Sequence, residues 1–311
     1  MNNEIKKINL THSFIFFLFS NIFSVIIFKL NNFNISPLIC LLLILTIGVS
    51  HGSLDHVKGK RLFNILNINK ISIFYFSYIL IAISVIIIWI IIPFISLMIF
   101  LFVASYHFGK EDTQFLINEN SYFNQLLFFL KGLLIIVAPI FFHFEETVAI
   151  FKLLLVDSEI FYSTLEFIEV NKILPIAIIL SSLSSIFLFL RKFEIKKFIV
   201  FFDYFSILIL NYYLTPLVAF TVYFCFLHSI RHSITLIYEI DKNDFKNGLK
   251  VFVQKALPLT VLAAIFCLIG LYLLNNNYDF NSSILKIIFI GLASLTFPHI
   301  LLEYFLEKNE K

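Results

Sequence analysis

Charge is scarce in this chain: only 14% of its 311 residues are Asp, Glu, Lys or Arg, while 60% are hydrophobic. A water-soluble domain carries about 25% charged and about 45–50% apolar residues. A chain of this make-up is best solvated by lipid. Cysteine is equally sparse. Cys40, Cys225 and Cys267 lie singly inside apolar runs, with no CxxC pair, which argues against a disulfide framework or a zinc ribbon and leaves three thiols behaving as small hydrophobes. There is no basic block. The net charge is +3 and the Lys and Arg residues fall between apolar runs, a pattern of membrane orientation and not of nucleic-acid binding. Internal repeats, a separate soluble domain and a Ser-His-Asp set for nucleophilic catalysis are also missing. The first segment, MNNEIKKINLTHSFIFFLFSNIFSVIIF, lacks an A-x-A-like cleavage site and reads as a first spanning helix rather than a removed leader.

What the chain has instead is a series of apolar runs. They fall near 12–30, 35–51, 71–92, 94–109, 123–142, 173–190, 198–214, 216–235, 256–274 and 284–303. Roughly 17–25 apolar residues suffice to cross a bilayer as a helix. Unbroken stretches such as ILIAISVIIIWIII lack the in-out alternation of a barrel strand. The expected fold is therefore all-α: a polytopic transmembrane helical bundle of about ten spans, or eight to nine because 94–109 and 198–214 are short. It forms one integral membrane domain over 1–311. With the N-terminus inside, 18 of the 23 Lys and Arg residues fall on one side, which places both termini, 52–70, 110–122 and 236–255 in the cytoplasm. The mixed, acidic stretch 143–172 is expected at the opposite surface, with one or two helices lying at the interface. The 41 Phe residues fill membrane helices and by themselves name no ligand.

This topology gathers the histidines. His51 in HGSLDH and His107 in SYHFGKED close two spans at the cytoplasmic level. His228 and His232 in FLHSIRHS lie in the last turns of another, and His299 in FPHILLEYF is at similar depth. His56 hangs just beyond, whereas His143 is at the opposite face. Any one alone is most simply a satisfied interfacial histidine. Five in one slab, on four helices, are harder to explain that way, because imidazole inside a membrane usually pairs or binds something. His228 and His232 are i and i+4, on one helix face roughly 6 Å apart along the axis, close enough to chelate one metal. Neutral imidazole suits zinc, copper, iron or nickel. Asp55, Asp203 and Glu303 are placed to orient such rings, and Tyr106 can add a hydrogen bond.

The motifs HGSLDH, SYHFGKED, HSIRHS and PHILLEYF, in that order, together with KGLLIIVAPIFFHFEE, resemble the Brp/Blh family of bacterial and archaeal β-carotene 15,15'-dioxygenases over about residues 40–305. The resemblance implies oxidative cleavage of the central double bond of β-carotene by O2, giving two retinals, at a non-haem Fe2+. It implies iron ligands at His51, His107, His228 and His232. His56, His299, Asp55, Tyr106, Asp203 and Glu303 stay as surrounding groups or reserve ligands. It implies a multi-pass enzyme of the cell membrane, with a retinal-binding rhodopsin as a functional associate and no nucleic acid. Leu227 departs from the family pattern, where an aromatic precedes the His-Ser pair, and this bears on the shape of a substrate tunnel. Two rivals carry different signatures. A membrane di-iron hydroxylase or desaturase needs about eight histidines in HxxxH and HxxHH boxes, and this chain has one HxxxH and no HH pair. A metal-ion or proton transporter often shows broken helices and inverted repeats, and no repeat is visible here.

Overall fold

The computed structural model describes residues 3–30, 35–116, 121–190, 198 and 200–309, and among these every regular element is helical. In chain order the helices are α1 (Asn3–Lys29), α2 (Pro37–Leu43), α3 (Asp55–Ile65), α4 (Ile71–Ile91), α5 (Pro93–Glu111), α6 (Tyr122–Phe142), α7 (Phe144–Leu153), α8 (Glu159–Val170), α9 (Leu174–Leu190), α10 (Val200–Tyr213), α11 (Pro216–Val222), α12 (Ile230–Ile240), α13 (Phe245–Leu274) and α14 (Phe280–Asn309). Their starts follow simple chemistry. Proline opens α2, α5 and α11, where its missing N–H costs nothing. Ser121, Ser158 and Asp244 cap α6, α8 and α13 through their side-chain oxygens.

Seven helices are individually long and apolar enough to cross a membrane: Ile5–Lys29, Ile71–Ile91, Pro93–Glu111, Tyr122–Phe142, Pro216–Ile240, Phe245–Leu274 and Phe280–Asn309. Helices α8 and α9 pass that test only together and are bent by 75° at their junction, which would make an eighth. The sequence pattern suggests about ten because it also counts 35–51 and 198–214. The first of these is not one α-helix. Its α-helical part ends at Leu43, a π turn follows over Ile44–Gly48, and the chain then tightens into a 3-10 turn over Val49–Leu54. The second has 14 helical residues among those described, about 21 Å at 1.5 Å per residue, against a hydrocarbon core of about 30 Å. The acidic stretch 143–172 does form two short helices, α7 and α8, and α8 keeps Ile160, Phe167 and Val170 exposed along one side. Arg191, Lys192, Lys196 and Lys197 lie outside the described residues.

The helices divide into an apolar outer rim and a buried interior. Helices α4 and α13 are hardly buried within the protein. Their outward Ile79, Ile83, Leu257, Ile265 and Leu268 form apolar surface that water would not tolerate on this scale. Inside, the main apolar core draws on residues from Phe16 to Ala293, with two smaller clusters around Leu54 and Leu62. Trp89, fully buried, ties α4 to the α7–α8 connection by donating Nε1–H to the Leu154 carbonyl at 2.9 Å.

Two close approaches set the centre of the bundle. The first is the crossing of α5 and α6 at Gly109 and Gly132. A Cβ on Gly109 would overlap the Phe128 carbonyl, and one on Gly132 would overlap the Ser105 carbonyl. Small residues at such crossings let backbones touch. The second is the packing of the two π turns, Ile44–Gly48 and Tyr223–Ser229. Here the ring of Phe224 fills the place a Cβ on Gly48 would take, and Ser229 Oγ donates to the Gly48 carbonyl at 3.2 Å. Both π turns adjoin a histidine motif, in keeping with the frequent use of π geometry at functional sites. Gly109→Ala is expected to force α5 and α6 apart, at a cost on the order of 3 kcal/mol. Thermal unfolding in detergent would show this as a clearly lowered midpoint, with an unchanged midpoint counting against the close crossing.

Candidate metal centre

Helix α5 ends on two acids, Glu111 and the following Asp112. Negative charge at a helix C-terminus opposes the macrodipole, and both side chains are buried, so the placement needs a compensating interaction. Each acid supplies it to a histidine. Asp112 Oδ1 lies 3.3 Å from His228 Nδ1, and Glu111 Oε2 lies 2.8 Å from His232 Nδ1. A third carboxylate repeats the arrangement: both oxygens of Asp55 face His299 Nδ1, at 2.8 and 2.9 Å. Behind these, Tyr223 donates its hydroxyl to Asp112 at 2.7 Å, and Tyr78 donates to Asp55 at 2.7 Å.

Burial pushes the Asp112 carboxyl up, but His228, Arg231 and Tyr223 outweigh it and bring it down to about 2. It is therefore ionised and can only accept, so the Nδ1 of His228 carries the proton. With Nδ1 carrying a proton, Nε2 is the nitrogen of this ring left to bind a metal. Carboxylate-braced histidines of this kind hold metals, since the brace fixes the tautomer and the ring angle and makes the other nitrogen more basic.

The rings converge. His107 stands between His228 and His299, with ring centroids 5.4 and 5.5 Å away, and His299 is 5.8 Å from His232. All four are buried. Glu303, one turn after His299 on α14, closes the ring: its Oε1 lies 3.5 Å from His299 Nε2 and 3.8 Å from His232 Nε2. One ligand atom from each of His232, His299 and Glu303 falls within 4.8 Å of the others, a spacing that fits a single ion. Lys58 stands at the edge, donating to Glu303 at 2.7 Å and facing His232 Nε2 at 3.3 Å. Burial pulls its ammonium down, but Glu303 and Asp55 more than offset this and hold it above the usual lysine range.

Charge balance gives a separate test of fit. Arg231 lies behind His228, donating to both oxygens of Asp203 at 2.9 and 3.2 Å, to the Asp112 carbonyl at 2.9 Å and to Ser13 Oγ at 2.7 Å. Lys131, in mid-helix on α6, is also buried. A metal binds imidazoles in their unprotonated form. In that form the cluster sets five carboxylates, those of Asp55, Glu111, Asp112, Asp203 and Glu303, against three cationic side chains, Lys58, Lys131 and Arg231, an excess of two negative charges. Uncompensated charge in an apolar interior costs several kcal/mol, and a divalent cation on the imidazoles would neutralise it.

The structure thus brings together His107, His228, His232 and His299, the last of them expected from sequence only as a surrounding group or reserve ligand. The side chain of His51 lies outside the described residues, although its backbone sits in the 3-10 turn Val49–Leu54. Asp55 touches the site through His299, and Glu303 is part of its wall rather than a surface charge. Asp203 reaches it only through Arg231 and Asp112. Tyr106 is half-buried beside a cavity that includes His107, and His56 is half-buried at the start of α3. His143 binds the Asn211 carbonyl at 2.7 Å, in the loop between α6 and α7. Sequence reading alone passes over Glu111, Asp112, Lys58, Tyr78, Tyr223 and Arg231. For the two acids a signal was present, in their position at the wrong end of a helix.

The brace is testable. Asp112→Asn presents an amide N–H where a carboxylate accepted, so the His228 ring must turn its lone pair to Nδ1 and lose it at Nε2. Metal affinity should fall about 10- to 100-fold, read by competition with a calibrated chelator. Tyr223→Phe, which removes only one hydrogen bond to Asp112, should have a smaller effect in the same direction.

Comparison with known proteins gives the chain a family. The family model described as "Beta-carotene 15,15'-dioxygenase" matches residues 42–307. A protein of an uncultured marine bacterium, 66A03, named "Beta-carotene 15,15'-dioxygenase", is 28% identical over 271 residues, covering 84% of this chain and 90% of the relative. No solved structure matches. The chain belongs to the β-carotene 15,15'-dioxygenase family, and is thereby an oxygenase.

Proposed function

We propose that this member of the family uses iron(II) and O2 to cleave the central 15,15' double bond of β-carotene into two molecules of retinal. The observation that carries the reading is the ring of four buried imidazoles, three of them with a carboxylate on Nδ1, in a cluster where buried carboxylates outnumber cationic side chains. The ligands we assign are His107, His228 and His232, with His51 contributed by the motif resemblance and His299 by the geometry. Iron, when bound, supplies the chemistry that activates oxygen.

The chain's own residues do the rest. Asp112, Glu111 and Asp55 hold the Nδ1 side of their histidines, so that the Nε2 atoms are the ones turned toward the centre. Lys58 and Arg231 hold carboxylates that would otherwise repel one another. Phe108 and Phe224 pack against His228, with ring centroids at 4.8 and 5.7 Å, and keep water from its face. Carotene is a hydrocarbon without polar handles. Its position must therefore be fixed by the shape of an apolar channel, and the bond lying over the centre is the one cleaved. We place the enzyme in the cell membrane with both termini cytoplasmic, and retinal is the product a rhodopsin would take up.

The hydroxylase alternative is weaker because its two-metal chemistry needs more histidines than the chain has. The test is pigment extraction from β-carotene-making cells with and without this gene. Retinal should appear and carotene disappear only with the gene. Intact carotene under aeration, with iron bound, would remove the assignment.

A further inference from the structure

The buried histidines reach the outside through a cleft of about 540 Å³ between α5 and α14, with α4 at its side. Small-molecule sites commonly measure about 300–1,000 Å³. His107 and Glu303 line its inner wall, so the cleft is continuous with the ring of imidazoles. Val103, Phe297 and Ile300 form an apolar wall toward the middle of the two helices. At their C-terminal ends the lip is polar and is crossed by a 2.5 Å ion pair from Lys110 on α5 to Glu307 on α14. From Val103 to Lys110 the cleft runs about 10 Å along α5, at 1.5 Å per residue.

We infer that this cleft seats one half of a linear polyene, which enters sideways from the bilayer, and that Val103, Phe297 and Ile300 set how far it slides past His107. The inference rests on the functional reading above. Three features support this occupant over a polar one. The wall at Val103, Phe297 and Ile300 is apolar, the charged lining residues other than Glu303 lie at the helix ends, and both flanking helices present exposed apolar side chains such as Met98, Phe102 and Leu301 to the surroundings. Val103, Phe297 and Ile300 offer a polar ligand no side-chain hydrogen bond, the polar lining groups Tyr106, Gln125 and Tyr304 lying elsewhere in the cleft, whereas a polyene needs none. With no polar anchor, the end wall must act as the ruler. The central bond meets the metal centre only if the chain stops at the right depth.

The test fills the cleft and then deepens it. Val103→Trp and Ile300→Trp, on separate helices, should each raise KM for β-carotene at least about tenfold, since overpacking excludes a ligand that cannot reorient. Both should leave metal content unchanged. The spectral shift of β-carotene on binding to metal-free protein should weaken in parallel, which a purely structural defect near the metal would not predict. Leu268→Trp, on the lipid face of α13, should behave as wild type. Phe297→Ala should let the polyene slide further, so that longer, off-centre apocarotenals rise from a trace to a major share of product. If a tryptophan variant is lost from the membrane, Val103→Phe and Ile300→Phe replace it. Wild-type cleavage combined with unaltered binding, KM and product length in the filled and deepened variants overturns the cleft alone. Failure of the wild type to cleave β-carotene overturns the functional reading beneath it.

Discussion

His228→Ala and His232→Ala are each expected to strip iron from the purified protein and abolish retinal formation while leaving the chain in the membrane. Loss of one imidazole removes several kcal/mol of binding, and each 1.4 kcal/mol is tenfold, so metal affinity should drop by at least about 10³-fold. His228 also sits on a buried carboxylate, Asp112, whose partner would vanish with the ring. Asp112 keeps hydrogen bonds from Tyr223 and, through its backbone, from Arg231, so the fold retains most of its local support. His299→Ala is the more informative substitution. If His299 binds the metal, as its carboxylate brace suggests, iron is lost as completely as with His228. If the ring only shapes the wall, affinity should fall about 10- to 100-fold, and the ligand set reverts to the four motif histidines including His51. His143→Ala should change neither quantity, because it lies in another part of the fold and holds a backbone carbonyl. Full iron and full turnover in either His228→Ala or His232→Ala would mean that the ligands lie elsewhere.

The same residues show how far sequence alone carries. The helical class and membrane character were legible because they depend on long apolar runs, and α4, α6, α13 and α14 sit close to where those runs fall. The number of crossings was less so. A run such as LICLLLILTIGVSHG has the hydropathy of a span, but its backbone leaves α geometry at Ile44 to seat Gly48 against Phe224. Hydropathy does not encode that close approach. The histidine cluster was legible through depth: motifs far apart in sequence share one level once spans are laid out. The partners of the rings were not. Glu111, Asp112 and Lys58 read as surface charge because they flank apolar runs, and only tertiary packing buries them. Asp203 illustrates the converse. It sits inside an apolar run and is buried, and its partner, Arg231 in HSIRHS, comes from a helix 28 residues further on.

Withdrawing oxygen should preserve the colour of β-carotene-making cells that express this protein, and restoring air should bleach them with accumulation of retinal. The stoichiometry is strict. One C40 hydrocarbon and one O2 give two C20 aldehydes: the central C=C breaks, each carbon takes one oxygen, and neither a reductant nor a proton is consumed. The site is suited to a reaction with so few demands. No general acid is needed, and the carboxylates nearest the imidazoles, Asp55, Glu111 and Asp112, are already engaged with Nδ1 atoms. A hydroxylase or desaturase would behave differently in the same experiment, because it needs an electron donor and leaves the C40 skeleton whole. Chromatography of the extracted pigments separates the outcomes. Retinal as the dominant product, dependent on both air and iron, is the expected result. A dominant longer apocarotenal would keep the oxygenase and its iron while moving the cleaved bond, with Leu227, fully buried beside His228, and the cleft wall at Phe297 as the first residues to examine. A C40 product bearing new oxygen would instead point to hydroxylation, and the single HxxxH of this chain would then need a second metal that the buried charge does not call for.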